Sequence, residues 1–250
     1  MTAWLVLAAI AWPMAGAETV TTLTLRGKAQ RLHVYGRPGG QAVLVSSGDG
    51  GWMHLGPQVA EFLASRGYYV VGFDVKAYLA SFTTGTATLD PAEEPGDYAA
   101  LVRFAGAGSD RKPILVGVSE GAGLSVLAAT HPAARDLIAG VVALGLPDVT
   151  ELGWRWKDSV IYLTHGTPNE PSFQTAAVID RVSPLPLAAI HSTHDEFVPL
   201  ETARQLVEKA REPRRFWEVR ASDHRFSDNP AGFQASLLEA LAWTVEHAPR

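Results

Sequence analysis

Cysteine does not occur in the sequence, which excludes disulfides, thiolate metal sites and a cysteine nucleophile together. Charge is also scarce: Asp, Glu, Lys and Arg make up 19% of the residues, and the net charge is -5. The 21 Lys and Arg are spread along the chain instead of forming a basic stripe, so nucleic acid is not an expected partner. What is plentiful is apolar residues, at 47% of 250. That is enough to fill the core of one layered domain and too much for a disordered chain. No internal repeat, low-complexity tract or linker divides it.

Charged side chains are missing altogether from Met1 to Ala17, where an apolar run from Trp4 to Trp12 leads to the small residues Ala15-Gly16-Ala17. Such a run is too short to cross about 30 Å of hydrocarbon. It reads as a signal peptide spanning 1–17, cut before Glu18. The expectation is a periplasmic or secreted protein whose mature part, 18–250, is a single domain.

From there, short β-rich runs alternate with helical patterns, the signature of an α/β fold with a mainly parallel sheet and helices on both faces. Thr19 to Arg26 and Arg31 to Tyr35 read as a hairpin, and Ala42 to Ser46 as a buried strand entering the turn Ser47-Gly48-Asp49-Gly50-Gly51. Leu55, Val59, Phe62 and Leu63 recur at helical spacing up to Gly67, which ends a helix over His54 to Arg66. Further strands are expected at Tyr68–Phe73, Pro113–Val118, Ile138–Leu144, Leu187–His191 and Phe216–Arg220. Helices are expected around Tyr98–Ala105, Glu120–Thr130, Pro199–Ala210 and Pro230–His247. The pattern loses regularity over about 146–185, where Trp154, Trp156 and Tyr162 accompany several prolines; this segment reads as a small lid-like insert or pocket wall.

The sharpest chemical signal is Gly117-Val118-Ser119-Glu120-Gly121. This G-x-S-x-G lies between an apolar strand and a helix, the setting of a nucleophile elbow. A serine hydroxyl needs a base to take its proton, so the elbow predicts a histidine further along. His224 lies between the last strand and the last helix and is the best placed. His131, His165 and His191 fit a helix end, the irregular segment and a strand. The acid that orients the base is expected after an intervening strand. Asp195 in His191-Ser192-Thr193-His194-Asp195-Glu196 is the first choice, with Glu196 adjacent and Asp148 after the preceding strand as alternatives. The oxyanion needs two amide donors. One is the N–H of Glu120; the other is the N–H of Asp49 or Gly50 in the glycine-rich turn. That turn is no phosphate loop, because no G-K-[ST] follows it. His191, His194, Asp195 and Glu196 lack the spacing of a zinc site, so neither metal nor cofactor is expected. Asp49, Trp52, Trp154 and Trp156 are candidate substrate contacts.

The order Ser119, Asp195, His224 and the strand contexts of all three resemble the α/β-hydrolase superfamily over nearly the whole mature chain. More narrowly, Ser47-Gly48-Asp49-Gly50-Gly51-Trp52, followed by a helix and then Val70-Val71-Gly72-Phe73-Asp74, resembles the exported VirJ/AcvB proteins. That resemblance implies a serine hydrolase acting on the ester of aminoacylated phosphatidylglycerol, a lipid substrate at the periplasmic membrane surface. The chain carries Glu120 where that family has an aromatic residue, which leaves the catalytic set intact and the substrate open. A general carboxylesterase, a dienelactone-type hydrolase, a peptidase or an acyltransferase would use the same three residues, whereas a non-catalytic binding protein on this fold would be expected to lose one.

Overall fold

The computed structural model describes residues 18–156 and 170–249. Residues 1–17, read above as a signal peptide, and Tyr162 lie outside them. An eight-stranded sheet runs in the order β1-β2-β4-β3-β5-β6-β9-β10. Its strands are β1 (Thr19–Leu25), β2 (Lys28–Tyr35), β3 (Ala42–Ser46), β4 (Tyr69–Phe73), β5 (Ile114–Val118), β6 (Gly140–Leu144), β9 (Leu187–Ser192) and β10 (Arg214–Val219). β2 is antiparallel to both neighbours, and every pairing from β4 to β10 is parallel. This is the mainly parallel sheet expected from the sequence.

Side-chain alternation along each strand divides the core into two layers. Ala42 and Leu44, Leu115, Leu187 and Ala189 point to one face; Val43 and Val45, Ile114 and Val116, Ala188 and Ile190 point to the other. The second face is covered by α1 (Leu55–Ser65) and α7 (Pro230–His247). The first is covered by α2 (Val75–Phe82), α3 (Glu94–Gly106), α4 (Glu120–Ala129) and α6 (Leu200–Glu208), with the short α5 (Pro132–Arg135) beside them. α4 is buried along its entire length, which explains why Glu120-Gly121-Ala122-Gly123 is so rich in small residues.

Several elements differ from the sequence reading, α2 and α3 among them. α2 was not expected, since eight residues carry little periodic signal. It forms because Asp74 caps it, its carboxylate accepting the Ala77 amide at 2.9 Å. α3 starts before the expected Tyr98, with Pro95 in its first turn, where a missing N–H costs nothing. The irregular segment contains a small antiparallel sheet of β7 (Val149–Glu151) and β8 (Ser172–Gln174), followed by 3₁₀ turns at Thr175–Ala177 and Ile179–Val182. Among the described residues no helix is long and apolar enough to cross a membrane.

Two acids on α3 face inward, and only one is compensated. Asp97 accepts from the Arg26 guanidinium at 2.6 and 3.0 Å and from the Tyr78 hydroxyl at 2.7 Å. Glu94 is 0% exposed and neither carboxyl oxygen has a hydrogen-bond partner. Burial, and after it the charge of Asp97, holds its pKa well above the ordinary glutamate range. A carboxyl raised on folding contributes stability that is complete below its unfolded pKa and is lost as pH rises towards the folded one. Glu94→Gln should therefore flatten the pH dependence of thermal unfolding between about pH 5 and 8 and stabilise the protein by about 1 kcal/mol or more at the upper end. Equal slopes in wild type and variant would count against this assignment.

Candidate active site

β5 delivers Ser119 to the carboxyl edge of the sheet, where the chain turns sharply into α4. Ser119 has φ 51° and ψ −118°, a conformation that costs a non-glycine residue on the order of 1–3 kcal/mol. Surrounding bonds hold it there. The Ser119 amide donates to the Leu144 carbonyl at 2.9 Å, and the Ser119 carbonyl accepts from the Ala122 and Gly123 amides at 2.8 and 3.2 Å. The strained turn lifts the hydroxyl above the sheet at the amino end of α4, where helix amides favour negative charge.

Asp195 and His224 reach the same place from the loops after β9 and β10. His224 Nδ1 donates to Asp195 Oδ2 at 2.6 Å. Asp195 is fixed in turn through Oδ1, which accepts the Phe197 and Val198 amides at 2.9 Å each. The other two acids weighed with it are engaged elsewhere: Glu196 accepts the His224 amide at 2.7 Å, and Asp148 accepts the Ala176 amide at 3.0 Å inside the insert. The loop around His224 is shaped by Asp223, whose Oδ1 accepts the Arg225 and Ser227 amides at 3.1 and 2.9 Å. It is anchored by Phe226, stacked on Phe233 of α7 with ring centroids 4.5 Å apart. Gly145 at the end of β6 leaves room for the imidazole: a Cβ there would stand 2.4 Å from His224 Cε1.

The electrostatics follow from burial and neighbours. Burial opposes a charged His224, but the hydrogen bond and charge of Asp195, with Glu120 and Glu196 adding to them, outweigh it and raise the imidazole pKa. Burial would raise Asp195, yet its bond to His224, that residue's charge and the two loop amides lower it overall. Asp195 stays ionised and can stabilise an imidazolium. Burial first and the charge of Asp49 second push Glu120 up to about 7. Asp49 is raised by burial as well, against the pull of the Gly50 and Asp49 amides and of the His224 and Lys76 charges.

Ser119 and His224 open into a cavity of about 470 Å³ whose wall includes Asp49, Glu120, Lys76 and Trp154. Lys76 lies 4.4 Å from the centre of the Trp154 ring, joining α2 to the insert by a cation–π contact. The glycine-rich turn sits directly against the elbow: a Cβ on Gly48 would be 3.2 Å from Ser119 Cβ.

The structure thus brings together Ser119, Asp195, His224, Asp49, Glu120 and Trp154. Two expected substrate contacts lie elsewhere. Trp52 stacks on His33 with ring centroids 4.8 Å apart and donates to the Tyr35 hydroxyl at 3.4 Å. It turns away from the cavity because the space over Gly72, which lacks a Cβ, receives its ring. Trp156 is 79% exposed and absent from the cavity wall; only Trp154 of the pair points inward. The sequence reading also passed over Lys76, Met53, Phe197 and Arg225, which line the cavity from four different segments. Met53, Phe197 and Arg225 lie within two positions of Trp52, Asp195 and His224, a local signal that Lys76 lacks. His191 and His194 do not converge as metal ligands: His191 Nε2 donates to the Val198 carbonyl at 2.8 Å, and His194 is exposed.

Several solved structures share this architecture. The esterase Pf2001 from Pyrococcus furiosus superposes with a TM-score of 0.66 at 18% identity, covering 91% of this chain and 90% of that one. A membrane phospholipase A described as a bacterial virulence factor gives 0.67 at 12% identity over 92% and 87%, and a dienelactone hydrolase from Anabaena variabilis gives 0.63 at 13% over 94% and 100%. These likenesses establish the α/β-hydrolase fold. No curated protein sequence matches the chain. The family model for the bacterial virulence protein VirJ matches residues 41–244, a span that runs from β3 into α7 and holds the whole of the cavity wall, and the chain belongs to the VirJ family.

Proposed function

We propose that the protein is a serine hydrolase that cleaves an ester through an acyl-enzyme on Ser119. The observation that carries this reading is the 2.6 Å bond from His224 Nδ1 to Asp195, beside a serine held at a strained elbow in the same cavity. That bond places the proton on Nδ1 and leaves Nε2 as the basic nitrogen. Ser119 Oγ attacks the ester carbonyl carbon while His224 Nε2 takes the hydroxyl proton. The amides of Glu120 and Asp49 receive the oxyanion. His224 passes its proton to the departing alkoxide, the C–O bond breaks and the alcohol leaves. Water then attacks the acyl-enzyme, gives a proton to His224, and releases the acid as the proton returns to Ser119. Nothing in this cycle draws on a cofactor.

For the substrate, membership of the VirJ family and the resemblance to its exported members favour an aminoacyl ester of phosphatidylglycerol at the periplasmic face of the membrane, with residues 1–17 as the export signal. Two carboxyl groups in the cavity wall, Asp49 and Glu120, suit an acyl group that carries an ammonium, and Trp154 supplies apolar surface beside them.

The test is intact-mass analysis of the mature protein after reaction with a fluorophosphonate, beside Ser119→Ala, with neutral and aminoacyl esters assayed in parallel. The serine oxygen displaces fluoride from phosphorus, so wild type should gain one phosphonyl group and Ser119→Ala none. Faster turnover of aminoacyl than of neutral esters would support the lipid substrate; the reverse order would support a general carboxylesterase. The absence of both labelling and turnover in wild type would remove the hydrolase reading.

A further inference from the structure

A serine hydroxyl has one proton to donate, and in this resting structure it goes to Glu120 instead of to the base. Ser119 Oγ donates to Glu120 Oε2 at 2.9 Å, although His224 is held by Asp195 in the same cavity. Glu120 is the residue immediately after the nucleophile; in the bond-making and bond-breaking steps above its backbone amide takes part and its carboxyl does not. Its side chain is buried and shares the site with groups from several elements. Asp49 faces it from the turn after β3, and His224 from the loop after β10. Asp195 and Glu196 stand behind His224. Lys76 acts on Asp49 from α2, and His54 and Arg225 complete the charged or titratable part of the wall.

We propose that Glu120 is a positioning residue that controls Ser119: as a carboxylate it holds the hydroxyl proton away from His224, and as a neutral acid it releases that proton to the base. This inference rests on the serine-hydrolase reading. A hydrogen bond to a charged acceptor is about twice as strong as one to a neutral acceptor, so Ser119 must break a strong contact before it can rotate to His224. Once protonated, the carboxyl has its own O–H to donate and loses its preference for the serine proton. The group is raised to about 7 by burial and by Asp49, and the hydrogen bond and charge of Asp195 raise His224 above its ordinary value. The two groups act in opposite senses. His224 must be neutral to act as base, which gives a rate that rises with pH; ionised Glu120 holds Ser119, which gives a rate that falls at higher pH. Because the groups interact, the two limbs belong to the pair and not to single residues.

The experiment is the rate of fluorophosphonate labelling of Ser119 measured from about pH 5 to 9.5 in wild type, Glu120→Gln and Glu120→Ala, with kcat/KM for a neutral ester over the same range. Wild type should give a bell-shaped profile. Glu120→Gln, which cannot ionise, should lose the alkaline limb and keep a single rise, labelling about 10-fold or more faster than wild type above about pH 8.5. Glu120→Ala should show the same single rise if the glutamine variant fails to fold. A structural role for Glu120 would scale the rates without altering the shape of the profile. Labelling of wild type and variant with profiles of the same shape overturns the control by Glu120 and leaves the hydrolase intact; no labelling of wild type at any pH overturns both.

Discussion

Asp195→Asn is expected to lower kcat about 10⁴-fold with little change in KM or in thermal stability. The size of the effect comes from the way Asp195 is held. Its Oδ1 accepts two loop amides, from Phe197 and Val198, both at 2.9 Å. An asparagine would keep its carbonyl oxygen there, since its NH₂ group cannot accept those protons. The NH₂ would then face His224 Nδ1 at the position now occupied by Oδ2. Two donors cannot share that contact, so the imidazole would move its proton to Nε2, the nitrogen that receives the proton of Ser119 in the proposed mechanism. The base would be present, correctly oriented and in the wrong tautomer. Steady-state kinetics with an activated ester, together with circular dichroism to confirm the fold, measure this directly. A loss of less than about tenfold would mean that Asp195 does not set the tautomer, and Glu196, which accepts the His224 amide, would become the acid to test.

Gly121→Ala should damage both stability and activity, by about 3 kcal/mol and about 100-fold respectively. A Cβ at Gly121 would lie 2.4 Å from the Ser47 carbonyl oxygen and 2.5 Å from that of Ser46. Both obstacles are backbone, so no side chain can swing aside to make room. The end of β3 and the start of α4 would have to separate, and these are the two segments that carry the Asp49 and Glu120 amides. In the proposed mechanism these amides receive the oxyanion, and a site that opens by a fraction of an ångström loses much of its effect because its donors no longer converge on one point. Urea denaturation and kcat on the same preparation separate the two effects. A variant within about 0.5 kcal/mol of wild type would show that the contact relaxes at no cost.

The order of elements and the residues of the candidate site were legible for different reasons. Strands such as Ala42–Ser46 and Ile114–Val118 are short apolar runs bounded by turn residues, and a buried parallel strand needs nothing more. The elbow was legible because its geometry is local: a strained serine requires small residues two positions away on either side, and Gly117 and Gly121 stand there. Asp195 and His224 were found by their position after particular strands, a rule of chain order that survives without sight of the packing. α2 was missed because eight residues with mixed apolar and polar character do not fill a helical pattern, and the Asp74 cap that starts the helix is equally common in turns.

The sequence by itself therefore determined which residue types reach the carboxyl edge of the sheet, since strand order and turn chemistry are written locally along the chain. Which way each side chain points on arrival was decided only by the tertiary structure. Trp52 sits one residue from a turn that lines the cavity, yet its ring fills the gap over Gly72. Trp154 and Trp156 are two positions apart, and one is in the wall while the other is in solvent. Lys76 reaches the cavity across the fold from an unrelated stretch of sequence. The Ser119 hydroxyl turns to Glu120, its own neighbour in the chain, although the order of residues points to His224. Each of these outcomes depends on the space left by residues distant in sequence and on competition among several acceptors for one proton, and neither quantity exists until the chain has folded.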